Sequence, residues 1–238
     1  MNAEDPQRRG RVTHRLEAFS DIVIGFSLGQ LALNLVIPAH AIDFIQRPLG
    51  ITAFLVTFLL VARFWWLHFV IFEHYFVPTR AMIVCNFIAL AAMILQIFSL
   101  QLYSHFVPLS EGVVAARIYF GFFVLSYGML CVMQAIGLRS RWTALSVRRR
   151  RAGVQSGLRI LGTIAGAAIG DLVSTDASST LFVPVNHHQE IVSTWPTAIL
   201  VGTIIGSIAG LAAARLVPMI FPDLRTDPSV SAPVRSAE

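Results

Sequence analysis

Apolar residues in this chain do not alternate with polar ones. They come in unbroken runs of about twenty, separated by short polar links. A run of that length crosses hydrocarbon as a helix, because only a helix satisfies every backbone group within the segment itself. Six such runs lie at roughly 17–37, 50–72, 80–101, 113–137, 155–174 and 195–221. The first is too long, and too polar at both flanks, for a cleavable signal peptide, and no small-residue cleavage site follows it. The pattern predicts an all-α polytopic integral membrane protein with six transmembrane helices. A cytoplasmic tail over 1–16 would precede the helical domain at 17–221. A disordered tail would follow over 222–238, where Pro222, Asp227, Pro228 and Pro233 fall.

Composition supports the same solvent. Charged residues make up 13 % of the 238, against about 25 % in a soluble domain, and apolar residues 55 %. Mean hydropathy is +0.69. Disorder, a coiled coil and a secreted disulfide scaffold are excluded together. Cys85 and Cys131 both sit inside apolar runs and point to neither a disulfide nor a metal site.

The net charge of +5 comes from 18 arginines, with no lysine. Their placement carries the topology. Arg8, Arg9, Arg11 and Arg15 precede the first run, and Arg80 lies between the second and third. Arg139, Arg141 and Arg148 to Arg151 lie between the fourth and fifth, and Arg225 and Arg235 end the chain. The opposite side has Arg47, with Arg117 just inside the fourth run. Positive charge marks the cytoplasmic side, so both termini are expected inside. The run Arg148–Arg151 then reads as a topology determinant on anionic lipid rather than a nucleic-acid patch. Arginine without lysine points to a GC-rich bacterial genome, and so to the cell (plasma) membrane.

Polar residues within the runs are few. Asp21, His68 and Asn86 each lie four to six residues from a cytoplasmic helix end, roughly 6–9 Å deep at 1.5 Å per residue. Trp65 is three before His68 and shares its face. At one depth these groups can satisfy each other as a clasp, with Arg15 near enough to join; a proton relay is the competing use. Arg63 lies near mid-membrane, about 140° around its helix from His68. It needs a partner, with Gln30 or Asn34 the candidates, or else it faces a pore and opposes cations. Gly162, Gly166 and Gly170, and likewise Gly202, Gly206 and Gly210, repeat every fourth position. Such rows let two helix backbones approach closely, and these two helices read as scaffold.

Other signals are set aside. Gly25-Phe26-Ser27-Leu28-Gly29 spells the hydrolase nucleophile elbow, but inside a membrane helix, where that strand-to-helix turn cannot form. His187, His188 and Glu190 sit in a loop and more simply face water than a metal. No covalent chemistry, cofactor or resident metal is expected, and the protein is not read as an enzyme.

Arg15-Leu-Glu-Ala-Phe19-Ser20-Asp21 resembles the R-x-x-x-F-S-D signature that opens the first helix of bacterial and lysosomal potassium channels of the transmembrane protein 175 family. Trp65 with His68, and Arg80-Ala81-Met82 with Asn86, match the continuation of that pattern on the second and third helices. The resemblance covers roughly residues 11–100. It implies a homotetramer with the first helix lining the pore, and a packing and hydrogen-bond network of Arg15, Phe19, Ser20, Asp21, Trp65, His68 and Asn86. It further implies a constriction five residues after the aspartate, an isoleucine in the family and Phe26 here, with Gln30 and Leu33 one and two turns on. The glycine usual after the aspartate is Ile22. Phe26, Gln30 and Leu33 fall within about 60° of arc, so they share a face. A polar stripe of Ser20, Ser27 and Asn34 is the alternative lining, with Phe26 then facing lipid or core.

The expected function is passive conduction of K+ or monovalent cations generally across the lipid bilayer, through a hydrophobic constriction. A proton-coupled carrier using Asp21 and His68 is one alternative, although no inverted repeat or broken helix pair is seen. A non-conducting family member is the other. The acidic residues Asp43, Glu111, Asp171, Asp176 and Glu190 would give the outer mouth an attractive field for cations.

Overall fold

The computed structural model describes residues 6–33, 49–106, 112–174, 180–185, 188–193 and 195–220. Six helices run α1 (Pro6–Leu33), α2 (Leu49–His74), α3 (Arg80–Phe106), α4 (Gly112–Arg141), α5 (Val147–Ser174) and α6 (Trp195–Ile220). Strands β1 (Thr180–Val185) and β2 (His188–Ser193) form an antiparallel hairpin between α5 and α6. Alternation at 180–193 is weak beside the hydrophobic runs, and the hairpin was not expected. The helical fold class is as read from the sequence. Proline at the first helical position starts α1 at Pro6, so much of the expected N-terminal tail is helix. The C-terminal tail lies outside the described residues.

Among the described residues, five helices are long and apolar enough to span a membrane: Gly10–Leu33, Ala53–His74, Arg80–Tyr103, Val113–Arg141 and Ile199–Leu216. α5 is less apolar: it opens on Arg148 to Arg151, carries Arg159 and Asp171, and has nine glycines and alanines among its 28 residues. It packs most closely along α6, and α3 along α4. Polar caps mark the starts of α3 and α5. The Met82 amide donates to Thr79 Oγ1 at 3.3 Å, and the Arg149 amide to Ser146 Oγ at 3.4 Å.

The α5–α6 seam depends on the glycine rows. A Cβ at Gly162 or Gly166 would overlap the carbonyl oxygen of Gly206 or Gly202, and the reverse holds for Gly202 and Gly206. Backbone contact across this seam replaces side-chain interdigitation, as small residues permit in a membrane.

The end of the bundle where α2 stops and α5 begins is latched by Tyr75. Its hydroxyl donates to the Arg149 carbonyl at 3.0 Å, and its backbone presses on Gly137, where a Cβ would meet the tyrosine Cβ at 2.8 Å. Burial pushes the Tyr75 phenol above its ordinary pKa, and the nearby Arg149 charge offsets part of that shift. Arg141 Nη1 donates to the His74 carbonyl at 3.2 Å and so ties the ends of α2 and α4.

Gly166→Ala should destabilise the detergent-solubilised protein by roughly 1–3 kcal/mol, the cost of overpacking a tight contact. Gly121→Ala, where a Cβ meets nothing within 4 Å, should leave the melting temperature unchanged or raise it slightly. Thermal unfolding of both variants followed by circular dichroism checks the contrast.

Candidate functional site

α1 packs on α2 and α3, and its two faces differ sharply. Ser20, Ile24, Ser27 and Leu31 are all 5 % exposed or less. On the other side Ile22 is 70 %, Phe26 72 % and Leu33 80 % exposed, and Gln30 is exposed with them. At 100° per residue the buried and open faces are centred on nearly opposite sides of the helix. Ser20 and Ser27 each donate to the carbonyl four residues back, Leu16 at 2.8 Å and Val23 at 2.7 Å. The two serines therefore face the subunit interior, which removes them as a lining. Asn34 lies outside the described residues. Ser27, with its hydroxyl spent on its own helix, is no nucleophile.

The buried face is anchored by a chain of hydrogen bonds across three helices. Asn86 Nδ2 on α3 donates to Ser20 Oγ on α1 at 3.1 Å, and Asn86 Oδ1 lies 2.7 Å from His68 Nε2 on α2. None of the three residues is more than 1 % exposed. Because the Asn86 oxygen is an acceptor, His68 must donate from Nε2. Its Nδ1 is buried without a hydrogen bond. His68 is also stacked on Phe72, with ring centroids 4.4 Å apart.

Asp21 is not part of this buried chain. It is exposed, and its Oδ1 accepts from Trp65 Nε1 at 3.0 Å. The expected single clasp is thus two: a dry Ser20–Asn86–His68 link, and an Asp21–Trp65 pair at the edge of the open face. The separation follows from angle. Adjacent helical residues are about 100° apart, so Ser20 and Asp21 cannot share a face. Arg15 is exposed and makes no hydrogen bond or ion pair among the described residues, so it does not join either group. Phe19 packs edge-on against Phe87, with centroids 5.8 Å apart.

Arg63 turns away from α1. Its Nη2 donates to Thr163 Oγ1 on α5 at 2.7 Å, and Thr163 Oγ1 lies 2.9 Å from Ser207 Oγ on α6. Gln30 is not its partner, because Arg63 lies on the side of α2 opposite the one that α1 covers; Asn34 lies outside the described residues. Its Nε is buried with no hydrogen bond.

Residues 15–96 match the family described as "Endosomal/lysosomal potassium channel TMEM175". This three-helix segment is similar to that family. The match takes in about a third of the 238 residues and every residue of both clasps and of the open face of α1. TMEM175 is a family of channels, not of enzymes. No curated protein and no solved structure matches the chain.

A second polar network went unseen in the sequence. Thr57 Oγ1 lies 2.9 Å from the Tyr119 hydroxyl, which also accepts from Gln96 Nε2 at 3.1 Å, while Ser126 Oγ donates to Gln96 Oε1 at 3.4 Å. It joins α2, α3 and α4 with every member at most 2 % exposed. Its one legible sign was Gln96, an amide in the middle of an apolar run. On the outer side, Asp171 is only 8 % exposed and has a partner, so it is not a freely solvated mouth charge. Asp43, Glu111 and Asp176 lie outside the described residues, as does His187. His188 and Glu190 lie on β2, paired with Val185 and Val183.

The central position of Asn86 sets an order of mutational cost. Asn86→Ala leaves His68 Nε2 unpaired and removes the bond that Ser20 accepts, although Ser20 keeps the Leu16 carbonyl, and should cost most, at about 1–3 kcal/mol for a buried group left unsatisfied. His68→Ala orphans Asn86 alone and should cost less. Asp21→Ala, at the exposed pair, should cost least. Melting temperatures of the three purified variants give the ranking; equal losses would mean that Asp21 shares the buried link.

Proposed function

We propose that the protein is a subunit of a homotetrameric potassium or general monovalent-cation channel, in which the open face of α1 lines the path. The observation that carries the reading is the company Gln30 keeps. It is exposed near the middle of a membrane helix, on the same face as Phe26 and Leu33. An amide turned into lipid would lose its hydrogen bonds at a cost of several kcal/mol. A face that carries an amide, two large apolar residues and, at its edge, a carboxylate suits a narrow aqueous path better than hydrocarbon. Four such faces around one axis put a ring of Phe26 between the Asp21 level and a ring of Gln30. Water withdraws from narrow apolar necks, so the Phe26 ring would be the constriction and the Gln30 amides an ion-contacting layer beyond it. The potassium channel family matched by residues 15–96 supports the same reading.

The carrier alternative has less support. No hydrogen bond joins Asp21 to His68: the first is spent on Trp65, the second on Asn86. His68 is dry and fixed at one nitrogen, which suits a structural link.

Planar-bilayer recordings of the purified protein under K+/Na+ and K+/Cl− gradients test the proposal. Phe26→Ile, the residue the family uses, should raise potassium current and K+/Na+ selectivity. Phe26→Ala should raise current and weaken selectivity, since a wider neck admits hydrated ions, and Phe26→Asn should wet the neck and leak. Cysteines at 26, 30 and 33 should react with charged thiol reagents from the water phase, and a cysteine at 24 should not. Unchanged conductance in all three Phe26 variants, with assembly intact, would remove α1 from the lining.

A further inference from the structure

Arg63 Nε on α2 and Thr203 Oγ1 on α6 are both buried with no hydrogen-bond partner. Both belong to the surroundings of the Arg63–Thr163–Ser207 network, because Thr203 is one turn before Ser207 and shares its face of α6. Both atoms can donate, so what each lacks is an acceptor. The neighbouring hydroxyls are already spent: Thr163 donates to the Arg159 carbonyl at 2.7 Å, and Ser207 to the Thr203 carbonyl at 2.6 Å. The Arg63 guanidinium has a full charge, and its hydrogen bond is to a neutral hydroxyl. It stands fourteen residues from the start of α2 and eleven from its end, near mid-membrane, where a charge is kept only if something offsets it. No carboxylate among the described residues does so. Asp21 is bonded to Trp65, about 200° around α2 from Arg63. Asp171 is eight residues beyond Thr163 on α5, about 12 Å along the axis. The other charges near by are positive. Arg159 is one turn before Thr163 on the same face of α5, and Arg215 is eight residues after Ser207 on α6; both are exposed. None of the three arginines forms an ion pair among the described residues. The glycine contacts make α5 and α6 antiparallel, so Arg159 and Arg215 stand about 6 and 12 Å from the Thr163–Ser207 level, both toward the end where α5 begins.

We propose that a small monovalent inorganic anion of the chloride class binds between α2, α5 and α6, accepting from Arg63 Nε and Thr203 Oγ1. Water could accept both protons but would leave the guanidinium charge uncompensated. A lipid phosphate would compensate it, but headgroups stay at the interface, roughly 15 Å from the middle of a hydrocarbon core about 30 Å thick. A halide has no directional demand of its own, so it can serve donors that come from two different helices. The column of arginines draws an anion in from the end where α5 begins. Once seated, the anion ties α2 to the α5–α6 scaffold and weakens further the field that Arg63 exerts on a cation path along α1. The inference does not depend on conduction along α1, and its test reads anion binding rather than current.

The test is thermal unfolding of the purified full-length protein in detergent, with chloride exchanged for gluconate at constant ionic strength, and retention of radiolabelled chloride on the same samples. Gluconate has the same charge but is too bulky for a closely packed site. The melting temperature should rise saturably with chloride, and a single chloride per subunit should be retained. Arg63→Gln should retain none and melt alike in the two salts. Thr203→Val keeps the charge but loses a donor. It should raise the half-saturating chloride concentration about tenfold, the factor that corresponds to one hydrogen bond of ~1.4 kcal/mol. That variant removes a hydroxyl without hydrogen-bond partners, so it decides the matter even if Arg63→Gln fails to fold. A wild-type protein that retains no chloride and melts alike in the two salts would overturn the proposal, leaving water as the occupant. So would an undiminished chloride effect in Thr203→Val or in Arg63→Gln, which would place the anion elsewhere.

Discussion

An amide buried in a membrane protein has to find both a donor and an acceptor inside the protein, and Asn86 finds one on each of two other helices. That requirement sets the register of α1, α2 and α3. The bonds run in one direction. Ser20 donates to the Leu16 carbonyl, Asn86 donates to Ser20, and His68 donates to Asn86. Each bond in the link has one donor and one acceptor on a different helix or turn, so sliding any of the helices by one residue would strand at least one group in a dry interior. The contacts around it are largely aromatic and aliphatic and have no such directional demand. They fill the space that the polar link defines.

A consequence is that α1 is held from one side. Its buried face carries the small hydroxyls that let it lie close to α3, while Phe26, Gln30 and Leu33 are left exposed among the described residues. The remaining helices form a body that needs no help from α1. α5 and α6 join through glycine backbones, Arg63 reaches from α2 to Thr163, and Tyr119 draws together α2, α3 and α4. The residues with the least cover thus stand on the helix with the fewest neighbours. That is the arrangement expected of a lining helix supported by a separate scaffold.

The helices and their glycine seam were legible in the sequence because length of apolar run and spacing of small residues are one-dimensional signals. The polar link was legible too, since an asparagine, a histidine and a serine at a common depth stand out against hydrocarbon. What escaped was angular. Ser20 and Asp21 are neighbours in sequence and looked like one group, but the helix sends them to different faces and different partners. Arg63 was given a partner on α1 by depth alone, whereas its direction around α2 sends it to α5. The Tyr119 network was hidden because tyrosine and threonine pass as ordinary members of an apolar run until a neighbouring helix supplies the partner. The β1–β2 hairpin was lost beside much stronger signals.

The placement of Arg63 bears on whether a cation can pass along α1. Its guanidinium is on the α5 side of α2, so about two helix widths, or roughly 20 Å at 8–10 Å between axes, separate it from the open face. At an effective dielectric of about 20 a unit charge at that distance repels a cation by about 0.8 kcal/mol. Asp21 is at the edge of the open face itself. A carboxylate at about 10 Å contributes about 1.7 kcal/mol of attraction under the same dielectric, twice the repulsion. In the proposed assembly each subunit would carry one of each, so the balance would have the same sign whatever the number of subunits around the axis. Four charges of either kind multiply both terms equally. The mid-membrane arginine, the feature of the sequence most at odds with cation passage, is therefore outweighed by a nearer carboxylate. Any barrier on this face would come from the bulk and dryness of Phe26 rather than from charge.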